Sequence, residues 1–453
     1  MMHRRCGWAV LAGLALLGAG CASTRQDDDL KPTHSVSDLA RRQAAARERD
    51  GKSEADAKKP ERKSDAPAVS VEHIREMAEE GSGSAQIMLG RMYFEGVEGF
   101  DKDYKQAAAW FRKAAEQGNP QGAFNYAICL DEGLGVPANG AEALTWYVKA
   151  AERGVVEAQV NAALSYEVSG DLDEAKRFFE MAAVAGHTGA MRKLATLAGK
   201  EPAGGESDDG AKRAAEYLRQ AAQRGDARAQ VALADCYREG RGVPQNYKEM
   251  LNWLWLAAGN SDPEAMAKIG FCSASGLGLK RDPVAAAKWF GESARAGYAP
   301  AQAALANCYA TGAGVAKDEA AAVSWFKRAA DQGDTDGHFG LGMSYALGRG
   351  TEKDEALARE HVRQAAEAGH TEAMYNLGVF CEEGVGGPAD AAEAVTWYQR
   401  AAAKHSARAL FALGRCLIEG KGVAADPATG RFHLEQAAEL GSADARDLLR
   451  RLP

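Results

Sequence analysis

Several of the patterns that announce catalysis or ligand capture are missing from this 453-residue chain. It has eight cysteines, yet no C-x-x-C pair and no cysteine–histidine cluster at zinc spacing, so no metal site is expected. An excess of basic charge is also lacking. The net charge is −8, with acidic and basic residues interspersed, which argues against a nucleic-acid partner. Neither K-T-G nor S-D-N occurs, the motifs that accompany S-x-x-K in penicillin-interacting enzymes. From Ala22 to about Ser70 there is no aromatic residue at all. Such a polar stretch buries too little apolar surface to offset its ordering entropy, so residues 21–70 read as a disordered tether.

The chain opens MMHRRCGWAVLAGLALLGAGC. Arg4 and Arg5 form a basic start, and the apolar run Ala9 to Leu17 has the length of a signal-peptide core, too short to cross a bilayer. The run ends in Gly18-Ala19-Gly20-Cys21, which resembles a bacterial lipobox except that Gly18 stands where Leu is usual. Residues 1–20 are therefore expected to be a lipoprotein signal peptide, and Cys21 a lipidated first residue. A lipid anchor there would hold the protein outside the cytoplasm, on the periplasmic face of the outer membrane.

What the sequence has in abundance is glycine, 50 residues of it, and glycine marks a repeat. Gly297 to Gln332 reads GYAPAQAALANCYATGAGVAKDEAAAVSWFKRAADQ, and near-copies open at Gly225 and Ser261. Cys236, Cys272 and Cys308 lie 36 apart, as do Trp253, Trp289 and Trp325. A period of this size means a solenoid of stacked units. Ten units open at Gly81, Gly118, Gly154, Gly186, Gly225, Ser261, Gly297, Gly333, Gly369 and His405. Residues 71–80 and 441–453 read as terminal cap helices, with the repeats over 81–440.

Each unit reads as a helix hairpin. Asp226, Asp262, Asp334, Asn119, Ser82 and Ser406 stand where a first helix would be capped. Asn139, Asn246, Asp282, Asp318, Asp354, Asp390 and Asp426, all in slot 22 counted from the opening residue, cap the second helix. Its buried stripe is read as Ala322, Trp325, Ala329 and Ala330 in the Gly297 unit, with one Trp per unit filling the wedge between hairpins. The next opening glycine is the left-handed stop. The third unit is four residues short and the fourth carries the insert Gly199 to Gly210; both are expected to alter the local twist and to divide the array.

The pattern A-Q-x-x-L-G-x-x-Y-x-x-G-x-G-V followed by A-x-x-W-x-x-x-A-A-x-x-G resembles the Sel-one-like repeat family, relatives of tetratricopeptide repeats. That resemblance implies an all-α, right-handed superhelical solenoid whose first helices line a concave groove. It also implies an adaptor or scaffold that binds a protein or peptide, with no cofactor and no catalysis.

Features of the repeat that imitate chemistry dissolve when the units are aligned. The G-x-G of Gly312 and Gly314 recurs in six units between helices, never after a strand, so it is a turn. Ser324-x-x-Lys327 matches S-x-x-K, but the slot of Ser324 holds Thr145, Asn252, Lys288 and Thr396 elsewhere. A cell-wall enzyme or regulator handling peptidoglycan or β-lactams is the alternative it leaves. Slot 12 holds Cys129, Cys236, Cys272, Cys308 and Cys416. Packed helices lie about 8–10 Å apart, and a disulfide needs Cα atoms within about 7 Å, so free buried thiols are expected.

Function is expected on a first-helix face formed by slots 4, 8, 11 and 15. Slot 8 supplies Asn125, Asn161 and Asn376, and slot 11 supplies Arg91, Asp235, Asn307 and Arg415. In related helical repeats, Asn at comparable slots binds an extended peptide backbone. Slot 7 adds Phe124, Phe339, Tyr375 and Phe411 as aromatic anchors. The protein is expected to be a monomer.

Overall fold

The computed structural model describes residues 70–97, 99–200 and 209–452. The signal peptide, Cys21, the tether and most of the 199–210 insert lie outside the described residues. The described chain forms 22 α-helices and no strand. It divides into two compact units, Met1–Gln245 and Asn246–Pro453. In the first lie α1 (Val71–Glu79), α2 (Gly83–Glu95), α3 (Tyr104–Glu116), α4 (Pro120–Glu132), α5 (Gly140–Glu152), α6 (Val156–Ser169), α7 (Leu172–Val184), α8 (Thr188–Lys200), α9 (Asp209–Gln223) and α10 (Ala227–Glu239). In the second lie α11 (Tyr247–Gly259), α12 (Pro263–Ser275), α13 (Pro283–Arg295), α14 (Ala299–Thr311), α15 (Glu319–Ala330) and α16 (Thr335–Leu347), then α17 (Glu355–Glu367), α18 (Thr371–Glu383), α19 (Ala391–Ala402), α20 (Ala407–Glu419), α21 (Pro427–Glu439) and α22 (Ala443–Arg451). Within each unit every helix packs on its neighbours in sequence, which makes the chain an all-α repeat solenoid.

Local chemistry sets the helix ends. Every slot-22 Asn or Asp named above is an N-cap whose side chain accepts a first-turn amide, as the sequence implied. Apart from α8, the first helices of the ten repeats stop at a left-handed glycine, Gly312 at φ 77° for example. Two residues later comes a glycine with a different duty. A Cβ on Gly314 would overlap the Pro283 carbonyl oxygen at the start of α13, and Gly350, Gly386 and Gly422 sit the same way on Glu319, Glu355 and Ala391. These turns are where one repeat's loop rests on the backbone of the previous second helix.

The wedge-filling residue is not the Trp of slot 29. Trp146, Trp289 and Trp325 are half-buried, and only Trp397 is closed off. The residue after it does the filling: Tyr147, Phe290, Phe326, Val362, Tyr398 and Leu434 are all buried. Helical geometry explains the correction, because a stripe through Ala322, Ala329 and Ala330 passes through Phe326, four residues after Ala322. A first-helix glycine makes room for it; a Cβ on Gly270 would lie 2.7 Å from the Phe290 ring. Four tryptophans carry a cation over the ring, as at Lys149–Trp146 and Arg328–Trp325, where the ring lies at the edge of the core.

The short third repeat and the insert do not divide the array. The boundary falls at Gln245 and Asn246, inside the fifth repeat. The third repeat keeps its buried stripe, Ala175, Phe178, Phe179 and Ala182, so shortening the turn leaves its packing against α8 intact.

Candidate protein-binding face

Successive first helices come close enough to touch, α2 with α4, α12 with α14 and α14 with α16, so their residues form rows across repeats. The three Asn residues of slot 8 are buried. Asn125, Asn161 and Asn376 are 1%, 1% and 3% exposed, not open to a ligand as the face reading required. Their polar groups are used inside the fold: Asn125 accepts a hydrogen bond from Gln121 at 3.2 Å, and Asn376 donates to the Glu372 carbonyl at 2.7 Å. Asn161 hydrogen-bonds the Tyr147 side chain.

The polar residues named for slot 11 stay accessible. In the first unit Arg91 is part-exposed and pairs with Glu95 at 3.6 Å, and half-buried Asp235 lies 3.5 Å from Arg238. Phe124 is buried. In the second unit Asn307 is exposed. Phe339, Tyr375 and Phe411, each one repeat after the last, are half-buried against a single hydrophobic core. The structure thus brings those three aromatics together with Arg415, on the α16–α20 stretch.

Arg415 is not a loose cation. It donates to Glu382 at 2.6 Å, Lys421 reaches the same oxygen at 2.6 Å, and the Tyr398 hydroxyl donates to the other at 2.7 Å. Burial alone would raise the Glu382 carboxyl; the Lys421 and Tyr398 bonds and the Arg415 charge hold it below the ordinary carboxylate range. A second network lies beside it. Glu393 meets Arg363 at 2.8 Å, Arg359 at 3.3 Å and the Trp397 indole N–H at 3.3 Å. Burial opposes its ionisation, but the bonds from Arg363, the Trp397 indole and the Cys381 thiol, with the Arg363 charge, bring it down to about 2. Phe339 stacks on the His370 ring at 4.6 Å, and His370 in turn donates from Nε2 to Asp336 at 3.0 Å.

Glu382 and the buried glutamines escaped the sequence reading. Where slot 30 is Tyr, slot 14 is an acid that meets it: Asp131 with Tyr147, and Glu382 with Tyr398. Gln86, Gln159, Gln230 and Gln302 share slot 6, and each donates from its side chain to a carbonyl eight residues back, closing the end of the preceding helix. Both signals were present as agreements between repeats.

The remaining candidates lie away from this face. Ser324 and Lys327 are exposed on α15. The cysteines of the repeats are free and buried, and burial pushes the Cys129 thiol up to about 12. Among the described residues there is no group of three metal-ligating side chains, and no helix long and apolar enough to cross a membrane.

The Sel1 repeat model matches ten successive stretches, residues 83–119, 120–155, 156–187, 189–226, 227–260, 263–298, 299–334, 335–370, 371–406 and 407–442. The chain belongs to the Sel1 repeat family. A protective antigen present in uropathogenic Escherichia coli strains, displaying an SLR fold, is similar over 84% of this chain and 82% of its own, with 30% identity and a TM-score of 0.66. A Sel1 repeat protein from Oxalobacter formigenes is 24% identical over 84% of this chain and 90% of its own, with a TM-score of 0.47. Chitin synthase regulatory factor 3 of Schizosaccharomyces pombe is 30% identical over 82 residues, 18% of this chain; the match spans only 9% of that protein. Sel1 repeat proteins generally act as protein-interaction scaffolds.

Proposed function

We propose that this Sel1 repeat protein is a non-enzymatic scaffold that holds an extended segment of a partner protein on the first-helix face of its second compact unit. The observation that carries this reading is the row Phe339, Tyr375 and Phe411. Three aromatic side chains, one per repeat, are half-exposed on one core and firmly seated in it. Rigid aromatics of this kind make good interface anchors because little side-chain entropy is lost when they are covered. Asn307 supplies a free-standing amide at one end of the face, and Arg415, steadied by Glu382, supplies charge at the other.

The setting is the cell envelope. The basic start, short apolar run and Cys21 support export and a lipid anchor. A net charge of −8 disfavours nucleic acid, and one copy of the solenoid suffices to present the row. Replacing Phe339, Tyr375 and Phe411 together by Ser should abolish recovery of a crosslinked partner from intact cells while leaving helix content unchanged. Recovery at the native level would refute the proposal. For the anchor, labelled fatty acid should enter the native protein and not Cys21→Ser.

A further inference from the structure

One repeat departs from its neighbours at two slots at once. His338 stands in slot 6, which holds Gln86, Gln159, Gln230 and Gln302 elsewhere, and His361 stands in slot 29, which holds Trp289, Trp325 and Trp397 elsewhere. The two rings meet across the α16–α17 hairpin. Their Nδ1 atoms are 3.1 Å apart, their planes differ by 29° and their centroids are 5.4 Å apart. The centroid distance exceeds the nitrogen distance by 2.3 Å (5.4 less 3.1), which is twice the span from an imidazole's centre to its nitrogen, to within bond-length accuracy. Both centroids and both Nδ1 atoms therefore lie nearly on one line, so an N–H on one ring points at the lone pair of the other.

A metal ion does not fit this arrangement. Held on such a line at about 2.0 Å from each nitrogen, it would need roughly 4 Å between them, well beyond the spacing found. One proton does fit. We propose that His338 and His361 form a one-proton lock, a single N–H···N bond that ties α16 to α17, survives uptake of one proton and opens on uptake of a second.

The proton count follows from the tautomers. In the neutral pair one ring carries its proton on Nδ1 and donates; the other carries its proton on Nε2 and accepts. The first added proton goes to Nε2 of the donor ring, off the axis, and makes the bond charge-assisted. The second has only the acceptor's Nδ1 to occupy, and two N–H groups then face each other. Partial burial disfavours charge on both rings, and each ring's charge opposes the other's; Asp331 at the end of α15 pulls the opposite way on both, and Glu360 on α17 does so for His361. Tyr345 of α16 lies parallel to His361, its centroid 6.0 Å away. α14 presents Tyr309 and Ala310 to the same cluster, and His370, capping α18, is turned to Asp336 and Phe339. Because the folded rings hold protons less tightly than free histidine, with its pKa near about 6.5, the unfolded hairpin gains protons first as pH falls. The stability supplied by the pair is full above that value and is lost below it.

The neighbouring repeats provide the control substitutions, His338→Gln and His361→Trp, each the residue that another repeat carries at that slot. Full-length protein is followed by amide hydrogen exchange, corrected for intrinsic rates, between pH 7.5 and pH 4.5, together with nitrogen resonances of labelled histidine. The expected result is that α16–α17 loses protection relative to α13–α14 by about tenfold per pH unit where the second proton is taken up, with the Nδ1 resonances of the two rings titrating together. In either variant that extra slope disappears. The same slope in native and variant protein, or two histidines titrating independently, overturns the lock. Stoichiometric binding of added Zn²⁺ that disappears in both variants overturns it too, by making the pair a ligand set.

Discussion

Replacing Gly314 by Ala should loosen the junction between two repeats far more than the same change two residues earlier. Gly312 and Gly314 both lie in the left-handed region, at φ 77° and 75°, so both substitutions carry the same backbone penalty. That penalty is about 1–2 kcal/mol, offset by roughly 0.5–1 kcal/mol because alanine has less freedom to lose on folding. Their surroundings differ. A Cβ on Gly312 finds its nearest neighbour, Lys317 Cβ, at 3.4 Å, an ordinary contact. A Cβ on Gly314 falls on the Pro283 carbonyl oxygen and lies 2.9 Å from the Val284 nitrogen, both backbone atoms at the capped start of α13. Neither can rotate away, so the two repeats must separate, adding about 1–3 kcal/mol of overpacking. Long repeat arrays need not unfold in one step, so a global melting curve is the wrong assay. Amide exchange of α13 and α14 reads the junction itself. Gly314→Ala should lower protection there by a further 5- to 150-fold relative to Gly312→Ala, the range that corresponds to about 1–3 kcal/mol. Equal loss in the two variants would refute the idea that this glycine exists for contact between repeats rather than for its turn.

Three further outcomes follow from the same geometry. Ser261 and His405 occupy the opening left-handed slot at φ 62° and 59°, so Ser261→Gly and His405→Gly should each stabilise their repeat by about 0.5–1 kcal/mol, read as slower local exchange. Tyr398→Phe removes a 2.7 Å bond to Glu382, whereas Tyr147→Phe removes a 3.4 Å bond to Asp131; the first should cost about 1.5–3 kcal/mol and the second about 0.5–1 kcal/mol. Glu382 titrates below the ordinary carboxylate range, so its stabilisation is present above about pH 4.3 and fades as pH falls through its folded value. The Tyr398→Phe deficit should shrink there in parallel. The thiols of Cys129, Cys308 and Cys381 are pushed up to about 12, 11 and 11 by burial. They should ignore a disulfide reagent at pH 8 in the folded protein and react once it is unfolded without reductant; no reaction after unfolding would show that they are paired.

Hairpins, caps and turns were legible because they rest on residue types that the backbone demands: a capping Asp, a left-handed Gly. Packing was less so. Trp325 attracts notice as the largest repeated side chain, yet the stripe set by Ala322 and Ala329 runs through Phe326. Asn376 reads as a surface group because its own helix sequence gives no sign of what covers it, yet it is buried. The Glu382–Tyr398 pair sits between these cases. Within one repeat it reads as a surface acid and an aromatic, and the recurrence of Asp131 with Tyr147 reveals the bond. The row of Phe339, Tyr375 and Phe411 is legible as a shared slot and Asn307 as a residue that does not repeat, and all four remain accessible.

The most direct test of the scaffold reading is a photoreactive residue placed, one position at a time, at 307 and 375 on first helices and at 288 and 400 on second helices, with crosslinking in intact cells. The account predicts one common protein adduct from 307 and 375, lost when Phe339 and Phe411 are replaced by Ser, and none from 288 and 400. An adduct confined to 288 and 400 would place the binding surface on the second helices and contradict it.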